Sequence, residues 1–250
     1  MDMSQPDHLT RAPRPASASP QRISVILRTY TQGDEVVPLL ESLAAQTAPP
    51  WECVVIDSGS APAVQAQLRT LAQTGLRSAS GTTIPLRLLE ISKQVYQSAR
   101  ALNWAIEVAQ GELMAIISQD ALPADPHYLA TLAAAFDTDR VAGSYGRQIV
   151  HVPGYPLCEK DLEHVYPPQS RVQQAPDCWF VNTCSMVRRD LWQQHAFDEQ
   201  ALISEDHEWA RWWQQQGYVV KYEAAAVVQH SMPMTGSARC GSVFCSRARA

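Results

Sequence analysis

Residues 23–60 read ISVILRTYTQGDEVVPLLESLAAQTAPPWECVVIDSGS. Ile23-Ser24-Val25-Ile26-Leu27 is a short β-branched run, which predicts a buried strand. A polar loop, 28–33, follows it. From Asp34 to Gln46, Val36, Val37, Leu39, Leu40 and Leu43 recur at helical spacing, with Asp34 in the N-cap position. Cys53-Val54-Val55-Ile56 is a second apolar strand and runs into Asp57-Ser58-Gly59-Ser60. Two strands without polar alternation, joined through a helix, predict a parallel pair covered on both faces.

The same alternation continues downstream. Residues 62–74 read as a helix, Leu86 to Ile91 as a third strand and Ser98 to Gln110 as a third helix. Leu113 to Ile117 is a fourth strand, ending at Ser118-Gln119-Asp120. This order predicts an α/β fold with a mainly parallel central sheet and helices on both faces. Ligands of such sheets bind beyond the carboxyl ends of the strands. Thr29, Tyr30, Asp57, Ser58, Gln119 and Asp120 are the polar residues at those ends.

The second half is less regular. Val141 to Val150 predicts a strand that runs on into His151, and 152–178, rich in prolines and charges, reads as a long loop. Phe180 to Val187 is apolar again. Ser204 to Gln216 reads as a helix with Trp209, Trp212 and Trp213 on one face. Tyr218 to Tyr222 and Ala226 to Gln229 read as a closing pair of strands. Residues 1–21 are rich in Pro, Ser, Ala and Arg, with no apolar core of a signal peptide, and read as a disordered lead-in. Residues 231–250 show no periodicity and read as an irregular tail. What lies between, 22–230, reads as one domain with a nucleotide-binding half (22–123) and an acceptor half (124–230).

Composition narrows the function classes. The chain has 250 residues, a formal net charge of −5 and 46% apolar residues, an ordinary globular profile. A mildly acidic chain lacks the basic stripe of a nucleic-acid binder. No apolar run reaches the length of a membrane span. None of the six cysteines forms a C-x-x-C pair, and a reduced, cytoplasmic setting follows. The loop Arg28 to Gly33 carries no G-x-G-x-x-G pattern, and no Walker A motif or nucleophile elbow occurs.

Several residues admit two readings each. Asp57 either accepts hydrogen bonds from a base or ribose, or makes an Asx-turn. Asp120 either holds a divalent cation together with substrate phosphates, or closes a strand-end turn. Glu205 and Asp206 either complement the dipole of the helix they open, or supply a general base. His230 is a metal ligand, a phosphate donor or a structural residue. Arg100, Lys93 and Arg147 are candidates to neutralise phosphate.

Taken in order from Ile23 to His230, these segments resemble an inverting family 2 glycosyltransferase. The matching segments are Ile-Ser-Val-Ile-Leu-Arg-Thr-Tyr, Val-Val-Ile-Asp-Ser-Gly-Ser, the helix at 99–112, Ser-Gln-Asp-Ala-Leu-Pro at 118–123, and Phe-Asp-Glu followed by Ser-Glu-Asp-His-Glu-Trp-Ala at 204–210. The resemblance implies a GT-A-type, Rossmann-like sandwich. It implies metal binding by Asp120 and His230, a catalytic base at Asp206 with Glu205 beside it, and nucleotide-sugar contacts from Thr29, Tyr30, Asp57, Arg100, Asn103 and Gln119. The alternative role for Asn103 is to brace the metal-motif loop. The usual Asp-x-Asp appears here as Ser118-Gln119-Asp120, a form similar to that of rhamnosyltransferase-like members, which implies a deoxythymidine-diphosphate sugar.

The implied activity is that of a hexosyltransferase assisted by Mg2+ or Mn2+. Its partners would be a nucleotide-diphosphate sugar and a glycan or lipid-linked acceptor, with peripheral contact at the inner face of a membrane. Two rivals come from other classes. A catalytically silent sugar-nucleotide binder is favoured by the reduced metal motif. A nucleotidyltransferase shares the α/β layout but uses a glycine-rich phosphate loop, which Arg28 to Gly33 is not.

Overall fold

The structure, a computed structural model, describes residues 21–31, 35–150, 156–201 and 203–230. The expected lead-in up to residue 20, the helix cap at Asp34, the strand extension into His151 and the tail at 231–250 lie outside them. Each predicted strand of the first half is present. β1 (Ile23–Thr29) leads through α1 (Val36–Ala44) to β2 (Glu52–Asp57) and α2 (Pro62–Thr74). A small hairpin, β3 (Leu76–Arg77) with β4 (Thr83–Ile84), precedes β5 (Leu86–Glu90). α3 (Ser98–Val108), β6 (Leu113–Ser118) and β7 (Ala121–Pro123) complete this half.

β1, β2, β5 and β6 are mutually parallel in the order β5-β2-β1-β6. Val25, Ile26 and Leu27 of β1 and Cys53, Val54 and Val55 of β2 are fully buried, as strands covered on both faces must be. α3 lies against β1 and β2, and α2 against β5. Burial pushes the Cys53 thiol up to about 12, so it behaves as a small apolar residue.

Beyond β6 the sheet becomes mixed. The remaining elements are α4 (Tyr128–Ala134), β8 (Val141–Ile149), α5 (Pro156–Val165), β9 (Arg171–Gln173), β10 (Cys184–Arg188), α6 (Arg189–Gln194), α7 (Glu205–Gln215) and β11 (Val219–His230). β10 runs antiparallel to both β6 and β8. β11 runs parallel to β8 and antiparallel to β7 and β9. Parallel order therefore holds for the first half and not for the whole sheet.

Two expectations are corrected here. The stretch 152–178 is not one long loop, since it contains α5 and β9. The closing pair of strands is a single strand, β11, whose register against β8 shifts between Glu223 and Val227. Gly146 of β8 faces that shift, and a Cβ there would come within 2.3 Å of the Ala226 carbonyl oxygen. The missing side chain lets the bulged strand stay in the sheet.

Register brings the strand ends level. Thr29 pairs with Asp57 across β1 and β2, and Arg28 pairs with Ser118 across β1 and β6. His230 pairs with Ala121 across β11 and β7. The last residues of four strands thus share one edge of the sheet, although they come from distant parts of the chain.

The opposite edge is held by a buried carboxylate. Glu52, 1% exposed, accepts from the Ser24 hydroxyl (2.8 Å), the Gln110 backbone N–H (2.5 Å) and Arg87 Nε (2.8 Å). Glu52→Ala is expected to lower unfolding free energy by about 2–3 kcal/mol, because it takes the acceptor from the buried Ser24 hydroxyl and from the Gln110 N–H. Urea denaturation checks this, with the midpoint falling and the slope unchanged.

Candidate active site

At the level strand ends lies a cleft of about 360 Å³, lined by Arg28, Thr29, Tyr30, Ser58, Lys93, Tyr96, Ser118, Gln119 and Asp120. Its floor is braced by Gln119. Gln119 Oε1 accepts from the Thr29 hydroxyl and the Tyr30 N–H (2.8 Å each), and its Nε2 donates to the Tyr30 carbonyl (3.2 Å). One side chain thus locks the end of β1 to the end of β6. Tyr30 and Tyr96 present exposed rings, and the Lys93 ammonium sits 4.7 Å from the Tyr30 ring centroid.

Asp120 and His230, 110 positions apart in sequence, meet beside this cleft. His230 Nε2 lies 3.3 Å from Asp120 Oδ2. Gln148 Nε2 donates to the Tyr166 hydroxyl (2.7 Å), which leaves Gln148 Oε1 to accept from His230 Nδ1 (2.9 Å). The Gln148 contact places a proton on His230 Nδ1, an assignment made from this network, and leaves Nε2 as the nitrogen that faces Asp120. Burial pushes the Asp120 carboxyl up, but the hydrogen bond and charge of His230 outweigh it and hold the group below its ordinary range.

These two donors fit a small divalent cation. Adjacent ligands at metal distances of about 2.0–2.1 Å stand roughly 3 Å apart, and 3.3 Å separates this pair. No third His, Cys, Asp or Glu completes a cluster among the described residues. Phosphate oxygens and water would supply the other positions, as Mg2+ requires.

The acid pair opens α7 across from α3. Ser204, just before it, has φ 66° in the left-handed region, which turns the chain sharply into Glu205. Glu205 Oε1 accepts from the Ser98 hydroxyl (2.5 Å) and lies 3.5 Å from Arg28 Nη1. Arg28 also donates to the Ser98 hydroxyl. Arg28 therefore touches the cleft on one side and Glu205 on the other.

Asp206, 9% exposed, accepts from the Asn182 N–H at Oδ2 (3.0 Å) and the His207 N–H at Oδ1 (2.9 Å). Burial first, and then the Glu205 charge, raise its proton affinity, against the lowering effect of the Asn182 N–H and of His207. A carboxyl held in place with a raised proton affinity suits a general base.

Three predicted site residues are not among those lining the cleft. Asp57 is 1% exposed, and its oxygens accept from the Gly59 and Ser60 N–H groups (3.2 Å) and from Gln65 Nε2 (3.0 Å). The geometry realises its turn reading, and the next residue, Ser58, lines the cleft instead. Arg100 is ion-paired to Glu199 (2.9 Å) on the flank of α3. Asn103 is held against the Trp192–Phe197 segment. It donates to the Phe197 carbonyl (2.8 Å) and accepts from Trp192 Nε1 (3.0 Å) and the Phe197 N–H (3.2 Å).

Asn103→Ala is expected to cost about 2 kcal/mol of stability, because two donors lose their acceptor. Nucleoside-diphosphate affinity should stay unchanged. Thermal unfolding and calorimetric titration read the two effects separately.

Arg28, Tyr96, Ser98, Gln148 and Tyr166 were missed as site residues in the sequence. Arg28 carried a usable signal, its position at the carboxyl end of β1. For Gln148 there was none, since its partner arrives only when β11 pairs with β8.

A parallel first half, a mixed second half and a cleft at the strand ends define the GT-A architecture. Residues 24–195, more than half of the chain, match the model for glycosyl transferase family 2, and the chain belongs to that family. It is 26% identical over 227 residues to the O-antigen chain rhamnosyltransferase RfbN of Salmonella typhimurium, covering 84% of this chain and 66% of that protein. It is 24% identical over 196 residues to the O-antigen chain rhamnosyltransferase WbaN of Salmonella anatum, covering 74% and 58%. The chain thus spans less than two thirds of either relative.

Among solved structures, a mannosyltransferase from Pyrobaculum calidifontis in complex with GDP-Man and Mn2+ superposes with a TM-score of 0.66 at 22% identity, covering 88% of this chain and 59% of that one. TarS 1–349 of S. aureus in complex with UDP-GlcNAc gives 0.62 at 17% identity, covering 89% and 61%. These likenesses establish the fold. Among the described residues no helix is long and apolar enough to cross a membrane.

Proposed function

We propose that this protein transfers a sugar from a nucleotide-diphosphate sugar to an acceptor hydroxyl with inversion at the anomeric carbon. The observation that carries this reading is the Asp120–His230 pair at one side of a strand-end cleft that Arg28 connects to Glu205, the neighbour of Asp206 in sequence. Residues 22–123 would hold the donor, and 124–230 the acceptor.

The rings of Tyr30 and Tyr96 offer faces for the base, and Ser58 a hydroxyl for the nucleoside. Arg28 and Lys93 direct positive charge at the diphosphate. Asp120 and His230 would hold Mg2+ or Mn2+, which neutralises charge on the leaving diphosphate. Asp206 takes the proton from the acceptor hydroxyl. The hydroxyl oxygen then bonds to the anomeric carbon from the face opposite the diphosphate, which leaves with the electron pair of the broken C–O bond. A single displacement of this kind inverts the configuration. The two O-antigen chain rhamnosyltransferase relatives support a deoxysugar donor and a glycan acceptor.

The test is incubation with dTDP-rhamnose, UDP-GlcNAc and GDP-mannose, an acceptor glycan and Mn2+, followed by assay of released nucleoside diphosphate. Acceptor-dependent release and an inverted anomeric signal by NMR are expected. Binding without release, or pyrophosphate release from a nucleoside triphosphate, would contradict the reading.

A further inference from the structure

Arg28 is placed between two anionic claims. Among the described residues, its guanidinium makes every hydrogen bond through Nη1, to the Ser98 hydroxyl and carbonyl and, at 3.5 Å, to Glu205 Oε1. Nη2 and Nε have no protein partner there. The side chain is 19% exposed, and the residue lines the cleft that holds Asp120. The Glu205 side chain is 9% exposed and lies next to Asp206 in sequence. A guanidinium carries five donors in a rigid fork that matches phosphate oxygens two at a time. A carboxylate met by one nitrogen at 3.5 Å is a weak competitor for it.

The geometry points to Arg28 as the residue that reports donor occupancy to the acid pair: it rests on Glu205 in the free protein and turns its unused nitrogens to the donor diphosphate when that binds. The inference rests on the proposed sugar-transfer reading and adds an order to it. Donor binding withdraws positive charge from Glu205, and the undiluted Glu205 charge then favours proton uptake by Asp206 beside it. The base thus strengthens only when a donor is in place. Arg28 touches the donor, whereas Glu205 acts as a positioning residue through Asp206.

The test is calorimetric titration of UDP, dTDP and GDP into the native protein, Arg28→Gln, Arg28→Lys, Glu205→Gln and the Arg28→Gln/Glu205→Gln double variant, each with its melting temperature. Arg28→Gln is expected to weaken the tightest of the three about 10- to 100-fold, the loss of charge-assisted hydrogen bonds. Arg28→Lys should fall between, since it keeps the charge without the fork. Glu205→Gln should bind about threefold or more tightly than native, and this gain should vanish in the Arg28→Gln background.

A Glu205→Gln gain of equal size in both backgrounds would overturn the inference, as would native affinity in Arg28→Gln. Either result leaves the sugar-transfer reading intact. Failure of the native protein to bind any of the three overturns both. Glu205→Gln alone keeps the inference falsifiable if the Arg28→Gln variant does not fold.

Discussion

Asp206→Asn is expected to lower the rate of sugar transfer about 10²–10⁴-fold, the usual worth of general-base help. Asn keeps the shape of Asp206 and accepts the Asn182 N–H through its one carbonyl oxygen, so the end of α7 stays in place. The change appears in kcat, because the proton is taken only as the new bond forms. Nucleoside-diphosphate affinity should be that of the native protein.

The pH profile gives a second readout. Asp206 works only when ionised, so activity climbs as pH rises through its pKa. Burial and the Glu205 charge raise that pKa above the ordinary carboxylate value. The acid limb of kcat should therefore lie above the usual carboxylate range. Glu205→Gln removes the neighbouring charge and should move the limb to lower pH. A limb that does not move would separate Glu205 from the proton transfer.

Asp120→Ala carries the next largest expected effect. It removes the one carboxylate of the Asp120–His230 pair. A charged ligand is lost and His230 Nε2 faces a gap. Transfer should fall about 10²–10³-fold, in line with several kcal/mol of charge stabilisation, and the remaining rate should no longer respond to Mn2+. His230→Ala removes only a neutral ligand and should cost less, about tenfold. Metal-titrated initial rates distinguish the two. If Asp120→Ala keeps a full Mn2+ response, the ion binds elsewhere.

The parts of this molecule that could be read in advance are those where local chemistry decides. β1, β2 and β6 are buried on both faces, so they announce themselves as unbroken apolar runs. α2 was readable to its ends because Pro62 suits a first helical position and Gly75, with φ 72°, ends it. The three tryptophans placed α7 for the same reason: Trp209 and Trp213 are buried on its inner face.

What stayed hidden depends on contacts made across the fold. β7 and β9 have three residues each and exist only by pairing with β11. The bulge at 223–227 interrupts the alternation of β11, so one strand read as two. The site divides the same way. Asp120 and His230 were each recognisable, but what makes them a pair is the register of His230 with Ala121. Asp57 and Asn103 were recognisable as polar residues in special places. Their partners, a turn in one case and the Trp192–Phe197 segment in the other, could not be read from spacing. The strand-end position of Arg28 marked it as a cleft residue, but its link to Ser98 and Glu205 is made only when α3 and α7 come together.

The central claim is that Asp120 and His230 hold a divalent cation, with a nucleoside diphosphate beside it in the cleft. Paramagnetic broadening of backbone amide resonances by Mn2+, recorded with and without dTDP, locates the ion directly. The account expects signals of residues 118–121 and His230 to fade first, more strongly when dTDP is present, and to persist in Asp120→Ala. Broadening centred on any other face, or the same broadening in Asp120→Ala, would contradict it.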